Sequence, residues 1–230
     1  MQLRHRNVGA VLAVLVATAL LAHPSSAQQS IKLPAPHMSA GRPLVEALAK
    51  RQSTRTFSER ALSEQILSDL LWAAFGINRP ESGDHTAPSW RGSKEIDIYV
   101  AMSQGVWLYD AKAHELRRVM DRDIRAQTSS MVFVRIAPVL LIYAPDRARM
   151  AKAPEQEQLL YAHVDAALVA QNVYLFAASA GLGIAVLGSV DRQALAKTLG
   201  LRDEQIVTFA LIWINIRRRR GPSVKLKNSP

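Results

Sequence analysis

Residues 155–187 read EQEQLLYAHVDAALVAQNVYLFAASAGLGIAVL, and this stretch decides the architecture. No proline or glycine interrupts residues 155–180, and the spacing predicts a helix over that whole span. Its second half, 166–180, is apolar nearly all round, broken only by Gln171, Asn172 and Ser179. A helix of that kind is buried on most faces. Gly181 and Gly183 end it, and residues 184–187 follow as a short apolar strand. The chain is therefore expected to organise a sheet and further helices around one long central helix.

Working outward, residues 191–199 predict a helix with Asp191 as cap and Gly200 as stop, followed by a last strand over 206–214. On the N-terminal side, residues 138–144 form a short apolar run suited to a buried strand. Residues 121–130 predict a short helix. Residues 106–110 and 115–119 flank a turn at 111–114 and read as a hairpin, and residues 96–101 alternate as a strand. Residues 78–92 have two prolines, two glycines and no periodicity, so they read as a loop. Ser63 caps a helix whose apolar stripe is Ile66, Leu67, Leu70, Leu71, Ala74 and Phe75. Pro43 starts a shorter helix carrying Leu44, Val45, Leu48 and Ala49. The sum is an α+β fold.

The first 27 residues are read as separate from that fold. Arg4, His5 and Arg6 precede an apolar run over 8–22, and Ser25, Ser26 and Ala27 supply small residues. This is the layout of a secretory signal peptide, cut near Ala27. The run is short for a transmembrane span, which takes about 20 residues. Cleavage leaves 203 of the 230 residues, one domain by length. The expected organisation is a signal peptide at 1–27, a polar, proline-bearing arm or linker at 28–42, a domain at 43–216 and a basic tail at 217–230. An exported, periplasmic location follows.

Cysteine is absent, which excludes disulfides, thiol nucleophiles, Cys-ligated zinc and iron–sulfur clusters. The net charge is +10, or +8 once Arg4 and Arg6 are removed. Much of the excess lies in Arg217 to Arg220, with Lys225 and Lys227 behind. Such a charge suits an anionic ligand or a weak contact with an anionic membrane surface. Nucleic acid is an unfavoured partner, because no binding motif accompanies the charge.

The strongest chemical signal is RQSTRTF at residues 51–57. Arg51 and Arg55 are four apart and point the same way on a helix end or tight turn. Two guanidinium forks backed by the Ser53 hydroxyl make a trap for a phosphate. Other motifs fail. Gly181-Leu182-Gly183 follows a helix rather than a strand and has Val186 where a dinucleotide loop needs glycine. No phosphate loop, nucleophile elbow or H-E-x-x-H is present. Without an acid, base and nucleophile set, the chemistry of any enzyme here falls to a cofactor.

The order of these features resembles the nitroreductase family of flavin enzymes. The family's R-x-S-x-R/K-x-F motif stands here as Arg51, Ser53, Arg55 and Phe57. Residues 71–80 look like the segment before the flavin loop in an exported-type subgroup. Residues 86–89 match the start of the family's A-P-S-x-x-N-x-Q loop. Residues 171–176, 181–183 and 187–191 match its long helix and the flavin loop beyond. The resemblance covers residues 44–213.

That resemblance implies an α+β sandwich dimerising through long helices, with one FMN at each of two subunit interfaces. Arg51 and Arg55 would hold the phosphate and ribityl side. Gln52 would offer backbone and amide contacts, and Ser53 its hydroxyl. Pro88 and Ser89, in the loop that continues to Gly92, would come from the partner subunit. Leu187 and Gly188 would bring backbone N–H groups near the ring. Arg217 or Arg219 would supply a further phosphate contact. The implied activity is hydride transfer through flavin N5 to a nitroaromatic, quinone-like or other small substrate. An exported member needs an electron source other than cytoplasmic NAD(P)H, and some relatives run the other way, oxidising azolines in modified peptides.

Two positions depart from the pattern. Gly92 and Lys94 stand where the family loop has Asn and Gln, whose amides suit the polar edge of a flavin. They keep open an alternative: a non-catalytic member of the same fold that has lost redox function and binds a ligand or partner.

Overall fold

A computed structural model describes residues 29–54, 62–129, 131–208 and 211–216. The expected leader, Arg55, Phe57 and the basic tail with Arg217 and Arg219 lie outside the described residues.

Three strands in sequence make the first half of the sheet. β4 (Ile96–Met102), β5 (Gly105–Asp110) and β6 (Glu115–Met120) form an antiparallel meander. β7 (Val139–Pro145) pairs with the other side of β4, β9 (Leu211–Ile216) with β7, and β8 (Leu182–Leu187) with β9. β1 (Ser30–Lys32) closes the opposite edge against β6, so the order is β1-β6-β5-β4-β7-β9-β8, antiparallel at every pairing.

The period of two along the central strands explains the layering. Ile98 and Val100 of β4, with Leu141 and Tyr143 of β7, face one core; Tyr99 and Ala101, with Leu140 and Ile142, face another. The first core is covered by α4 (Glu155–Ala180) and α2 (Glu64–Phe75), with α1 (Leu44–Lys50) packed on α4. The second is covered by α5 (Arg192–Leu199) and the short segment from α3 (Arg125–Thr128) through the 3-10 turn Val132–Ile136. The sheet therefore lies between two layers, and β7 is buried along its whole length as its uninterrupted apolar sequence requires.

The caps form as read. Ser63 Oγ accepts from Ile66 N at 3.3 Å, Asp191 from Ala194 N at 3.0 Å, and Gly181 and Gly200 end their helices in the left-handed region.

Four expectations change. Residues 28–42 are not a free linker: β1 joins the sheet and Leu33 is buried in the core. The proposed loop 78–92 contains a small hairpin of β2 (Ile77–Arg79) and β3 (Asp84–His85) and a 3-10 turn at Trp90–Gly92. The helix expected over 121–130 shrinks to the four residues of α3. The last strand starts at Leu211 rather than 206; before it, Ile206 and Thr208 donate to the carbonyls of Pro145 and Tyr143 without entering a ladder.

α4 has the predicted bounds, but within one chain its buried positions are confined to one face. Ala166, Val169, Ala170, Val173 and Ala177 are covered, whereas Leu160, Val164 and Leu168 are exposed.

Candidate functional site

α1 ends at Lys50, and the chain then runs extended beside β8. Thr54 N donates to Ile184 O at 2.7 Å, and Ser53 bridges Ile184 in the parallel sense. Among the described residues β8 is the sheet's edge, so this short contact lays residues 53 and 54 along strand groups that have no other sheet partner there. The glycine stop at 181 and the turn of the chain into β8 are thus what set Ile184 against residues 53 and 54.

Arg51 places its guanidinium over the ring of Tyr174, 5.4 Å from the centroid. Among the described residues it has no carboxylate partner. Ser53 Oγ lies 3.0 Å from the Tyr174 hydroxyl, which also accepts from Val186 N at 2.9 Å. Gln52 is exposed beside them. One strand position further on, Leu187 is buried and Gly188 is exposed; among the described residues a Cβ at Gly188 would meet no atom within 4 Å. An open groove of about 580 Å³ begins there, between residues 188–192 and residues 126–129. A cation with no acid partner among the described residues and an exposed hydroxyl beside it form a donor set that suits a phosphate.

Pro88, Ser89 and Gly92 lie elsewhere. Trp90 N donates to Asp165 Oδ2 at 2.7 Å, which fastens this loop to the first half of α4. Asp165 and Tyr174 are nine residues apart on one helix, about 13 Å along its axis. Within one chain, therefore, Arg51 and Ser53 gather at Tyr174 beside the 184–186 stretch of β8, whereas the loop of Pro88, Ser89 and Gly92 is fastened to the first half of α4.

The loop has its own chemistry. Ser89 Oγ accepts from Lys94 N at 2.8 Å, and Arg91, Gly92 and Lys94 all take positive φ. The Lys94 ammonium pairs with Asp84 at 3.3 Å and reaches the Ser82 carbonyl. Beneath it, Glu95 is fully buried, accepts from Ser93 Oγ at 2.6 Å and faces Asp165. Burial, then the neighbouring Asp165 carboxyl, push the Glu95 carboxyl up to about 7.

Sequence reasoning missed Tyr174, Asp165 and Glu95. Tyr174 was legible in principle as a polar handle on an otherwise apolar helix face. Asp165 and Glu95 were not, because 70 residues separate them and only the fold joins them.

Comparison with known proteins gives the family and the fold. The model of the nitroreductase family matches residues 48–213. A Methanocaldococcus jannaschii protein assigned as a nitroreductase, MJ1384, is 30% identical over 170 residues, covering 70% of this chain and 85% of that one. The crystal structure of a protein assigned as a nitroreductase from Ralstonia eutropha is 34% identical, covers 94% of this chain and all of that one, and superposes with a TM-score of 0.78. A further crystal structure, assigned likewise and in complex with FMN, comes from Desulfovibrio desulfuricans. It is 22% identical, covers 82% of this chain and 98% of that one, and shares the fold with a TM-score of 0.54.

Proposed function

The chain belongs to the nitroreductase family, and from that premise we propose that it is an FMN-dependent oxidoreductase acting on a small electron-accepting substrate such as a nitroaromatic or quinone. Family membership supports flavin-dependent oxidoreductase chemistry in general. The FMN in the Desulfovibrio desulfuricans relative supports this particular cofactor. The observation that carries the reading is the gathering of Arg51 and Ser53 at Tyr174 along the β8 edge, the strand that leads on to Gly188. Arg51 and Ser53 would hold the phosphate, Gln52 the adjoining polar chain, and the backbone at Gly188 would border the ring. When bound, FMN supplies hydride exchange at N5; the protein's own groups bind it, orient it and border the groove that admits substrate.

A homodimer belongs to this proposal. Pro88, Ser89 and Gly92 are too far along α4 to complete the site of their own chain, and a partner subunit's loop would complete it. Support comes from the apolar side chains left uncovered on two adjacent helices: Leu44, Val45 and Leu48 on α1, and Leu160, Val164 and Leu168 on α4. Export, with cleavage near Ala27, is a separate proposal that N-terminal sequencing of the protein from its native host would test.

The deciding experiment is an absorbance spectrum of purified protein after incubation with FMN and desalting. A retained flavin spectrum, bleached by dithionite and restored by a nitroaromatic or quinone, is the expected result. A colourless protein would overturn the proposal.

One observation favours the second reading. The Lys94 ammonium is engaged with Asp84 and the Ser82 carbonyl, so no amide stands ready at that loop position to meet a flavin edge. A non-catalytic member would bind FMN weakly or without turnover; steady reduction of a nitroaromatic or quinone would refute it.

A further inference from the structure

Tyr174 is a buried polar group to which the function above gives no task. It lies on the sheet-facing side of α4 with 8% of its surface exposed. Val186 lies opposite Ile212 on β8, the edge strand. Its N–H donates to the Tyr174 hydroxyl at 2.9 Å, which occupies a lone pair of the phenol and leaves the phenolic proton to be given away. The acceptor within reach among the described residues is Ser53 Oγ, at 3.0 Å. With the phenol donating to it, the serine proton must point elsewhere, and Ser53 is exposed. The series from Val186 N–H through the Tyr174 hydroxyl to the Ser53 hydroxyl therefore ends in an outward donor, and hydrogen bonds in series strengthen one another. The same ring carries the Arg51 guanidinium over its face. One side chain thus aims both groups of the phosphate trap.

We propose that Tyr174 is a positioning residue that turns Ser53 into an outward hydrogen-bond donor and holds Arg51 beside it, so that the site selects phosphorylated over unphosphorylated flavin. The proposal rests on the FMN reading above. It concerns only the phosphate end of the ligand, and that makes the two separable.

The test is the dissociation constant of the full-length protein for FMN and for riboflavin, which lacks the phosphate, read by quenching of flavin fluorescence. The unaltered protein is expected to prefer FMN. Tyr174→Phe should weaken FMN by about tenfold, the loss of a hydrogen bond to a charged group, and leave riboflavin within about twofold. Ser53→Ala, at an exposed position, should show the same selective loss, and the double variant should be little worse than either single one, since both break one series. Equal weakening of both flavins by Tyr174→Phe, or no weakening of FMN, overturns the role of Tyr174 while FMN binding stands. Should Tyr174→Phe not fold, Ser53→Ala decides: FMN binding unchanged in that variant overturns the proposal. An unaltered protein that binds neither flavin overturns the functional reading and this inference together.

Discussion

Glu95 and Asp165 set two carboxyl groups facing one another in the interior, beneath the turn at Trp90–Gly92. Asp165 uses its Oδ2 to hold the Trp90 N–H. Glu95 accepts from Ser93 on one oxygen and faces the Asp165 carboxyl. Burial first, and then the neighbouring Asp165 carboxyl, favour the protonated form, so the folded protein keeps a proton on Glu95 up to about pH 7, whereas an unfolded glutamate loses it near 4.5.

The sign follows. Between those values the folded state binds more protons than the unfolded one, so the stability Glu95 contributes is fully present below about pH 4.5 and is lost as pH rises to about 7. Glu95→Gln mimics the protonated form. The stability of the variant relative to the unaltered protein should therefore rise across this window, by on the order of 1 to 3 kcal/mol, and level off above it. Denaturant unfolding at several pH values would show this, and a constant difference from pH 4 to 8 would refute it.

Leu33 gives a test of the corrected domain boundary. It is 4% exposed and sits in the core under α2 and α4, and its N–H donates to the His114 carbonyl. The segment is further tied by His114, whose Nε2 meets the Pro34 carbonyl and the Ser68 hydroxyl at 2.7 Å, while its Nδ1 meets Tyr109 at 3.0 Å. Leu33→Ala should cost about 2 to 4 kcal/mol in unfolding free energy. A linker would be indifferent to the change.

The same segment shows where sequence reading stops. The strands of the meander, α2, α4 and α5 announce themselves through periodicity, caps and glycine stops, all of which are local. β1 has three residues and no pattern of its own; it exists because β6 offers an edge and Leu33 finds a cavity. The site divides in the same way. Arg51 and Ser53 could be nominated from the sequence because arginines and a serine so closely spaced suit a phosphate, and Gly188 only through the family resemblance. Tyr174 gains its meaning only once residues 51–54 are laid against β8. The exposure of Leu160, Val164 and Leu168 was equally hidden, since an apolar stripe looks the same whether its own chain or another covers it.

Tyr143 supplies a prediction of the opposite sign. It is fully buried in β7, its hydroxyl has no hydrogen-bond partner among the described residues, and burial raises it well above the usual phenol range. An orphaned hydroxyl costs desolvation with no return. Tyr143→Phe should leave the fold unchanged and be neutral or stabilising, by up to about 1 kcal/mol. Thermal unfolding would check it; a clear fall in Tm would mean that the hydroxyl has a partner.

The exposed stripe on α4 bears on how the site is completed. Leu160, Val164 and Leu168 are spaced by four and share one face, and Leu160 is 57% exposed, with Val45 of the adjacent α1 at 78%. If a second copy covers this face, a cation there is desolvated without a partner, a change that costs an interface about 2 to 5 kcal/mol. Leu160→Arg should then shift the protein from dimer to monomer in sedimentation velocity at micromolar concentration, with its circular dichroism unchanged because the position is outside the core. FMN binding should weaken with it, by tenfold or more, because a lone chain leaves Pro88, Ser89 and Gly92 apart from Arg51 and Ser53. The pairing of the two effects is the informative part. Loss of the dimer with FMN affinity intact would place the whole cofactor site within one chain, and an unaltered protein that is already monomeric would remove the partner's loop from the site altogether.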